Sequence, residues 1–375
     1  MNARDFYVDP DIRKASSLPP TAFTSEEFLK LELDKLFPSS WLMVPPANAE
    51  MMTEKGAQTP FSILGKSLFL QRDEDDRLHC FPNVCTHAWH PLVETPGVKK
   101  KIICPQHGRT FGLDGRFAGQ AGFNNLEDFP RGSDHLKNLR VEEWNGLAFC
   151  CLGRPFSPLM RMMREVSASM PGLKIGELEQ KILGSEIRAV DGNWKHHAWN
   201  YMDNFHIRFI HKGPGGLADA VELGSYRTEL FEYSALQWVY SKKAENGLDP
   251  GLLSNRFRDS KDHGRRVFAL WWFVFPSFAL NLYPWGLSIN VYMPHPEDPG
   301  RTEFRWYHLV MDEEKFDRRN EVWLDEQVDA EDLEAIAHVA MNAGSGFAQC
   351  GRFAPGEEQG PHWFHRNVYT RIFGK

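Results

Sequence analysis

The chain reads as an α+β protein in two parts: a small all-β domain, and a larger domain in which helices cover a curved antiparallel sheet. Three observations predict this. At 375 residues the chain exceeds the size at which one hydrophobic core usually keeps growing. Between Trp41 and about Leu152, short alternating runs are separated by tight Gly- and Pro-rich loops. Beyond Ile182, long aromatic-rich runs of strand character follow one helical pattern and precede another. The expected boundaries are a helical N-terminal segment over 1–40, the β domain over 41–155 and the larger domain over 156–375.

Composition is ordinary for a globular chain, 42% apolar and 25% charged. A net charge of -7 argues against nucleic acid, whose partners usually carry a basic face. Six cysteines are too few for a disulfide scaffold at this length, so a reducing cytoplasm is expected, with cysteines serving as ligands or core residues. No secretory pattern is visible at the start. The most apolar run, Val267 to Leu282, is interrupted by Pro276 and falls short of the roughly 20 residues of a spanning helix. It reads as a buried strand pair with Pro276 in the turn, and no membrane association is expected.

In chain order, a helix is expected after Pro20, with Thr24 as cap, Glu27 completing a capping box, and Phe23 and Phe28 as a hydrophobic staple. Pro38 ends it. FSILG, KSLFLQ and LHCFPNV read as strands, with DEDDR (73–77) as the turn between two of them. WNGLAFCCLG reads as the strand that closes the β domain, with Cys150 and Cys151 on opposite sides as core or surface filler. Residues 156–181 read as helical and linker-like. Ile182–Asp191 reads as a strand and Trp194–His211 as a helix stopped by the GPGG at 213–216. Strands are expected over Leu223–Tyr233, Leu236–Ser241, Val267–Leu282, Gly286–Pro294 and Arg301–Met311, and a helix over Asp325–Met341.

Two groups of residues carry chemistry. Cys85-Thr-His87 is followed, sixteen residues later, by Cys104-Pro-Gln-His107. Two loops that each offer one thiolate and one imidazole suit a [2Fe–2S] centre with both cysteines on one iron and both histidines on the other. A structural Cys₂His₂ zinc site is the competing reading, although such sites usually order two cysteines before two histidines. His90, close to the first loop, reads as a surface or second-sphere residue. The other group is Asp203, His206 and His211. Two imidazoles and a carboxylate from elsewhere make a facial triad that leaves open positions on a ferrous ion, as oxygen activation needs. Positions 206 and 211 are about 140° apart on an ideal helix, so both reach one ion only if the helix is distorted or ends between them. Positions 203 and 206 are expected on one helical face. His196 and His197 read as structural or polar-surface residues.

Residues 83–117, together with the stretch GNWKHHAWNYMDNFH, resemble the Rieske non-haem iron oxygenases, whose terminal (alpha) subunits include aromatic-ring-hydroxylating dioxygenases and quaternary-ammonium monooxygenases. The resemblance implies a Rieske [2Fe–2S] domain plus a helix-grip catalytic domain. It carries over Cys85, His87, Cys104 and His107 as cluster ligands, and His206, His211 and Asp332 as ligands of a mononuclear Fe(II), with Glu331 and Asp329 as rivals for the carboxylate. Asp203 matches the family's catalytic bridging acid, which joins His206 to His107 of a neighbouring subunit. The implied activity is a terminal oxygenase that uses O₂ to hydroxylate or demethylate an aromatic or quaternary ammonium compound. Electrons come from NADH or NADPH through a reductase or ferredoxin, and the assembly is a homotrimer, alone or with a second subunit type. Two departures stand out. Ala88-Trp89 replaces the usual Arg-Gly, and Gln106-His107-Gly108-Arg109 replaces Tyr-His-Gly-Trp. The alternatives are a Rieske electron carrier without catalysis and a zinc-stabilised binding module. Of nine aromatics in 267–307, Trp271, Trp272, Phe273, Phe275, Phe278, Tyr283, Trp285, Trp306 and Tyr307, most are expected in the core, and some in an apolar pocket for an aromatic ring or a cage for a quaternary ammonium.

Overall fold

The computed structural model describes residues 1–45, 51–181, 188–257 and 264–374. It divides into two units, Pro38–Leu159, and Met1–Phe37 with Met160–Lys375.

Among its described residues the smaller unit holds ten strands in three antiparallel sheets. β1 (Leu42–Met43), β10 (Leu147–Cys151) and β9 (Arg140–Trp144) form one. β2 (Ala57–Ile63), β3 (Lys66–Arg72), β4 (Leu78–Pro82) and β5 (Gly97–Val98) form another, in the order β4-β3-β2-β5. β6 (Ile102–Ile103), β7 (Thr110–Phe111) and β8 (Phe117–Gly119) form the third. The charged 73–77 stretch turns the chain between β3 and β4. There the Asp73 carboxylate accepts from the Asp75 and Arg77 amides at 2.9 and 2.8 Å. The single closing strand expected over WNGLAFCCLG is instead a hairpin. Asn145 and Gly146 both adopt positive φ (49° and 83°), the two-residue turn that matches strand twist, so Trp144 ends β9 and Leu147 starts β10. Cys150 and Cys151 are both fully buried, so both are core and neither is at the surface.

In the larger unit, β13 (Arg227–Leu230), β14 (Ser234–Tyr240), β15 (Val267–Val274), β16 (Phe278–Tyr283), β17 (Gly286–Pro294) and β18 (Arg301–Val310) pair in chain order as an antiparallel meander. β11 (Glu179–Lys181) and β12 (Arg188–Asp191) both pair with β18. Of the strand expected over Ile182–Asp191, positions 182–187 lie outside the described residues. Pro276 sits in the β15–β16 turn as expected. Leu223–Ser225 is a helical turn, which shortens the strand expected there. The helix Trp194–Met202 packs on β17 and β18 and is flanked by the helices Asp325–Ala343 and Gln359–Phe373.

The N-terminal segment belongs to this unit. Its cap is Ser25, not Thr24: the Ser25 hydroxyl accepts from the Phe28 amide at 3.3 Å, opening the helix Glu26–Leu31. Thr24 ends a separate turn begun at Pro20, and its hydroxyl donates to the Pro20 carbonyl. The segment then delivers Glu32 into the interior. Its carboxylate meets Lys195 Nζ at 2.6 Å, with both side chains fully enclosed. The ammonium also lies 5.2–5.3 Å from the rings of Phe23, Phe28 and Trp194, so aromatic faces assist the carboxylate in holding it.

His196 and His197 are buried, which removes the polar-surface reading. His196 stacks on Phe23 at 4.4 Å, and His197 Nε2 lies 3.0 Å from the Asp191 carbonyl. Burial, reinforced by the neighbouring Lys195, pushes His196 from 6.5 down to about 3. Burial likewise takes His197 down to about 4. Between pH 6.5 and these values the unfolded chain binds more protons than the folded one, so stability falls as pH drops through that window. Urea-unfolding midpoints measured at intervals from pH 7 to 4 are expected to fall with pH, and His196→Gln is expected to flatten that slope. An unchanged slope in the variant would contradict the burial of a neutral imidazole at this position.

Candidate metal centres

The four residues of the first constellation come together in the smaller unit through two loops that share one turn. Cys85 N–H donates to the His90 carbonyl (2.9 Å), and Cys104 N–H to the Arg109 carbonyl (2.8 Å). Each cysteine carbonyl accepts from the amide four residues on, Trp89 (3.1 Å) and Gly108 (3.0 Å). That fourth residue needs positive φ in both loops, 65° at Trp89 and 68° at Gly108. Gly108 meets the need without a side-chain penalty. Trp89 meets it in a region that bulky residues rarely enter, with its indole 82% exposed. His90 supplies only its carbonyl to the loop, and its ring contacts the Pro91 carbonyl.

Both thiols are buried, and burial together with the adjacent Cys104 thiol pushes Cys85 up from its usual value. The His87 and His107 rings stand 4.9 Å apart, His107 exposed and His87 partly so. Two buried thiols on one side and two imidazoles on the outer side suit a cluster with unlike irons better than a single tetrahedral ion.

Arg109, in the position of the expected tryptophan, is also buried. Its guanidinium pairs with Asp134 at 2.5 Å and lies 4.9 Å from the Phe117 ring. Against the opposing effect of burial, the Arg131 amide and then the Arg109 guanidinium hold the Asp134 carboxyl below the usual carboxylate range.

The second constellation forms where the helix Trp194–Met202 stops. Asp203 leaves helical geometry (φ -90°, ψ 106°), and its carboxylate accepts from the Phe205 amide at 2.8 Å. Asp203 and His206 therefore meet through a turn and not along a helical face, with Asp203 Oδ2 at 3.6 Å from His206 Nδ1. A single helical turn, Ile207–Ile210, follows, and the two histidines flank it at either end. That is how residues five apart converge: the long helix ends before the first of them.

Asp332, from the helix Asp325–Ala343, completes the group. His206 Nε2 and His211 Nε2 are 3.1 Å apart, and Asp332 Oδ1 is 3.4 and 3.1 Å from them. Donors about 2.1 Å from one octahedral ion stand about 3 Å apart, so these spacings fit a shared cation. Asp332 Oδ1 is buried without a hydrogen bond of good geometry, and with His206 and His211 it makes a group that could hold a metal ion. Against burial, Asp203 and Asp332 push His206 up to about 9, and the two histidines hold Asp332 far below its usual range. Glu331 reaches the other ring nitrogen of His211, Oε2 to Nδ1 at 2.6 Å, and receives Gln327 Nε2 on its second oxygen at 2.9 Å. It therefore orients a histidine and does not join the triad. Asp329 is not in the triad either.

A cavity of about 80 Å³ opens beside the triad. Cross-strand pairing puts Gln237, Trp271, Asn281 and Ser288 in one row on the sheet face towards it, with Asn290 and Tyr292 on the same face by alternation. Tyr201, Tyr226 and Tyr283 complete much of its wall. The tyrosine rings are held by their hydroxyls. Tyr201 donates to Asn281 Oδ1 and Tyr226 to Gln237 Oε1, while Tyr283 receives from Trp271 Nε1. Of the nine aromatics of 267–307 singled out in the sequence, only Trp271 and Tyr283 line the cavity. Tyr201, Tyr226 and Tyr292 were not anticipated. The detectable signal was a lone Gln or Asn within otherwise apolar strands, as in LQWVY, FALNLY and SINVYM. Asp329 also lines the cavity, and burial, added to by the carboxylates of Asp325 and Asp332, pushes its acid group well up.

Residues 40–130 match the family model of the Rieske [2Fe-2S] domain, and residues 173–373 that of the ring hydroxylating alpha subunit (catalytic domain). Choline monooxygenase of Arabidopsis thaliana is 27% identical over 95% of this chain and 83% of its own. The carnitine monooxygenase oxygenase subunit of Escherichia coli K12 is 25% identical over 98% and 96%. In fold, the chain matches a quaternary ammonium Rieske monooxygenase in complex with L-carnitine (TM-score 0.76, 20% identity, 96% and 97% covered). It also matches naphthalene 1,2-dioxygenase with indole bound (TM-score 0.72, 20%, 99% and 95%). The chain belongs to the ring-hydroxylating alpha subunits, the terminal components of Rieske oxygenases, which use a [2Fe–2S] cluster and a mononuclear iron.

Proposed function

We propose that this terminal oxygenase oxidises a small quaternary ammonium compound in the cavity beside His206, His211 and Asp332. In the net reaction one atom of O₂ enters a C–H bond of the substrate and the other leaves as water, with two electrons and two protons consumed. The observation that carries the reading is the aromatic wall opening onto a three-donor group. Tyrosine and tryptophan faces attract a cationic head that offers no hydrogen bonds of its own. Relatives named for choline and carnitine support it.

Cys85 and Cys104 would hold one iron of the cluster, and His87 and His107 the other. His206, His211 and Asp332 would hold the mononuclear iron. When bound, these groups supply electron storage and oxygen activation. The protein's own part is orientation. Asp203 faces His206 Nδ1 and Glu331 faces His211 Nδ1, which leaves both Nε2 atoms turned to one point. Electrons would come from NADH or NADPH through a separate reductase or ferredoxin. In a homotrimer Asp203 of one copy would meet His107 of the next. A solved relative is described by its inter-subunit electron transfer, which supports that route.

The test is a single turnover. Reduced protein is exposed to O₂ with choline, and in parallel with naphthalene. Oxidised choline with unreacted naphthalene is expected, and the reverse would move the proposal to an aromatic substrate.

His206→Ala and Asp332→Ala are each expected to lose the mononuclear iron and turnover while keeping the cluster's visible spectrum. Iron retained in Asp332→Ala would place the third ligand elsewhere. Asp203→Asn is expected to keep both metals and to slow reoxidation of the cluster by O₂ and substrate by about 10–100-fold, the usual range for an outer-sphere partner. Stopped-flow absorbance measures it, and an unchanged rate would remove Asp203 from the electron route.

A further inference from the structure

Asp329 lies three residues before Asp332 on the same helix, so the two share a face and both line the cavity. Among the described residues three carboxylates line that space, and two of them are engaged: Asp203 faces His206, and Asp332 faces both histidines. Among the described residues Asp329 has no hydrogen-bond or ion-pair partner. The opposing charge that acts on it is the exposed Arg188, at a distance. Among the described residues no lysine or arginine lines the cavity. In the empty cavity burial and the carboxylates of Asp325 and Asp332 favour the protonated acid, and an arriving cation favours the carboxylate.

The rest of the wall says what kind of cation. Tyr201, Tyr226, Trp271, Tyr283 and Tyr292 line it, and the hydroxyls of Tyr201 and Tyr226 are already committed to Asn281 and Gln237. A primary ammonium or guanidinium needs several acceptors, and this wall offers few that are free. A methylated ammonium needs none, and gains from rings on its sides and one negative charge nearby. A ferrous ion held by a single carboxylate also keeps one net positive charge, which repels a second cation in a low-dielectric cavity unless another acid offsets it.

We propose that Asp329 is the residue that selects a cationic substrate over a neutral molecule of the same shape. It acts as the counter-charge for a methylated ammonium head in the aromatic cavity. This rests on the reading of the cavity as the substrate site. It goes further in assigning selectivity to one carboxylate that is not a metal ligand.

The test compares choline with 3,3-dimethylbutan-1-ol, its neutral isostere with carbon in place of nitrogen. Binding to anaerobic iron-loaded enzyme is measured by titration calorimetry, for wild type and Asp329→Asn. Wild type is expected to bind choline at least about 10-fold tighter than the isostere. Asp329→Asn is expected to lose about 10–100-fold for choline, to change little for the isostere, and to keep its full iron content. Equal affinity of wild type for the two ligands would overturn the assignment without any variant. Unchanged choline affinity in Asp329→Asn would overturn it too, even if turnover fell, because the acid would then be acting in the chemistry. Wild type binding neither ligand would bring down the substrate reading itself, and this inference with it.

Discussion

Three polar atoms from two separate segments are pressed to within 3.1–3.4 Å of one another, and most of the larger unit serves that convergence. Without a cation such a group is hard to hold. Two imidazoles share at most one proton at their contact, and a buried carboxylate oxygen is left without a well-aligned donor. Packing must impose the arrangement. The helix Trp194–Met202 is anchored at its start by the enclosed Lys195–Glu32 pair and by the side chain of Asn193, which accepts from the Lys195 amide. It stops at Asp203, and His206 and His211 then fall either side of one helical turn. The helix Asp325–Ala343 brings Asp332 in and places Glu331 against the far side of His211. Removing one partner of a fully enclosed ion pair typically costs about 3–5 kcal/mol. The N-terminal segment is thus tied to the placement of the site although it contributes no residue to it.

The smaller unit solves a different problem by repetition. Two cysteine loops use one backbone turn, and each pays for a positive φ four residues after its cysteine. Where the usual sequence offers glycine in both, this chain keeps Gly108 and substitutes Trp89, which leaves a large indole in solvent at the rim of the cluster loops. The second departure, Arg109, puts a guanidinium where an indole is usual, and Asp134 and three phenylalanine rings absorb it. Both changes fall beside the histidines of the two loops and leave Cys85, His87, Cys104 and His107 in place.

How much of this was legible in the sequence follows from how local each feature is. Cys85/His87, Cys104/His107 and His206/His211 are short-range patterns, and they come together as their spacing implied. The requirement that a helix break before both histidines could reach one ion also came from spacing alone. The choice among Asp329, Glu331 and Asp332 did not. Positions 329 and 332 share a helical face and 331 lies about 100° away, so the answer depends on how that helix is rotated against a segment some 120 residues earlier. The cavity wall was hidden for a similar reason, because Gln237, Trp271 and Asn281 become neighbours only through strand register. His196 and His197 could pass as surface residues because Phe23 and the β12 carbonyl that cover them are remote in sequence or strand-borne. Two features were legible but misread. Asn145-Gly146 is a strong hairpin signal inside what was read as one strand. Ser25, next to Thr24, is an equally good cap and is the one used.

The most direct measurement on the two centres is iron and acid-labile sulfide per chain on anaerobically purified protein, with an EPR spectrum after reduction. About three irons and two sulfides with a Rieske-type signal is the expected result for a two-Cys, two-His cluster and a two-His, one-carboxylate iron in one chain. Zinc without sulfide would contradict the reading of the Cys85/His87 and Cys104/His107 loops, and the oxygenase would lose its source of electrons.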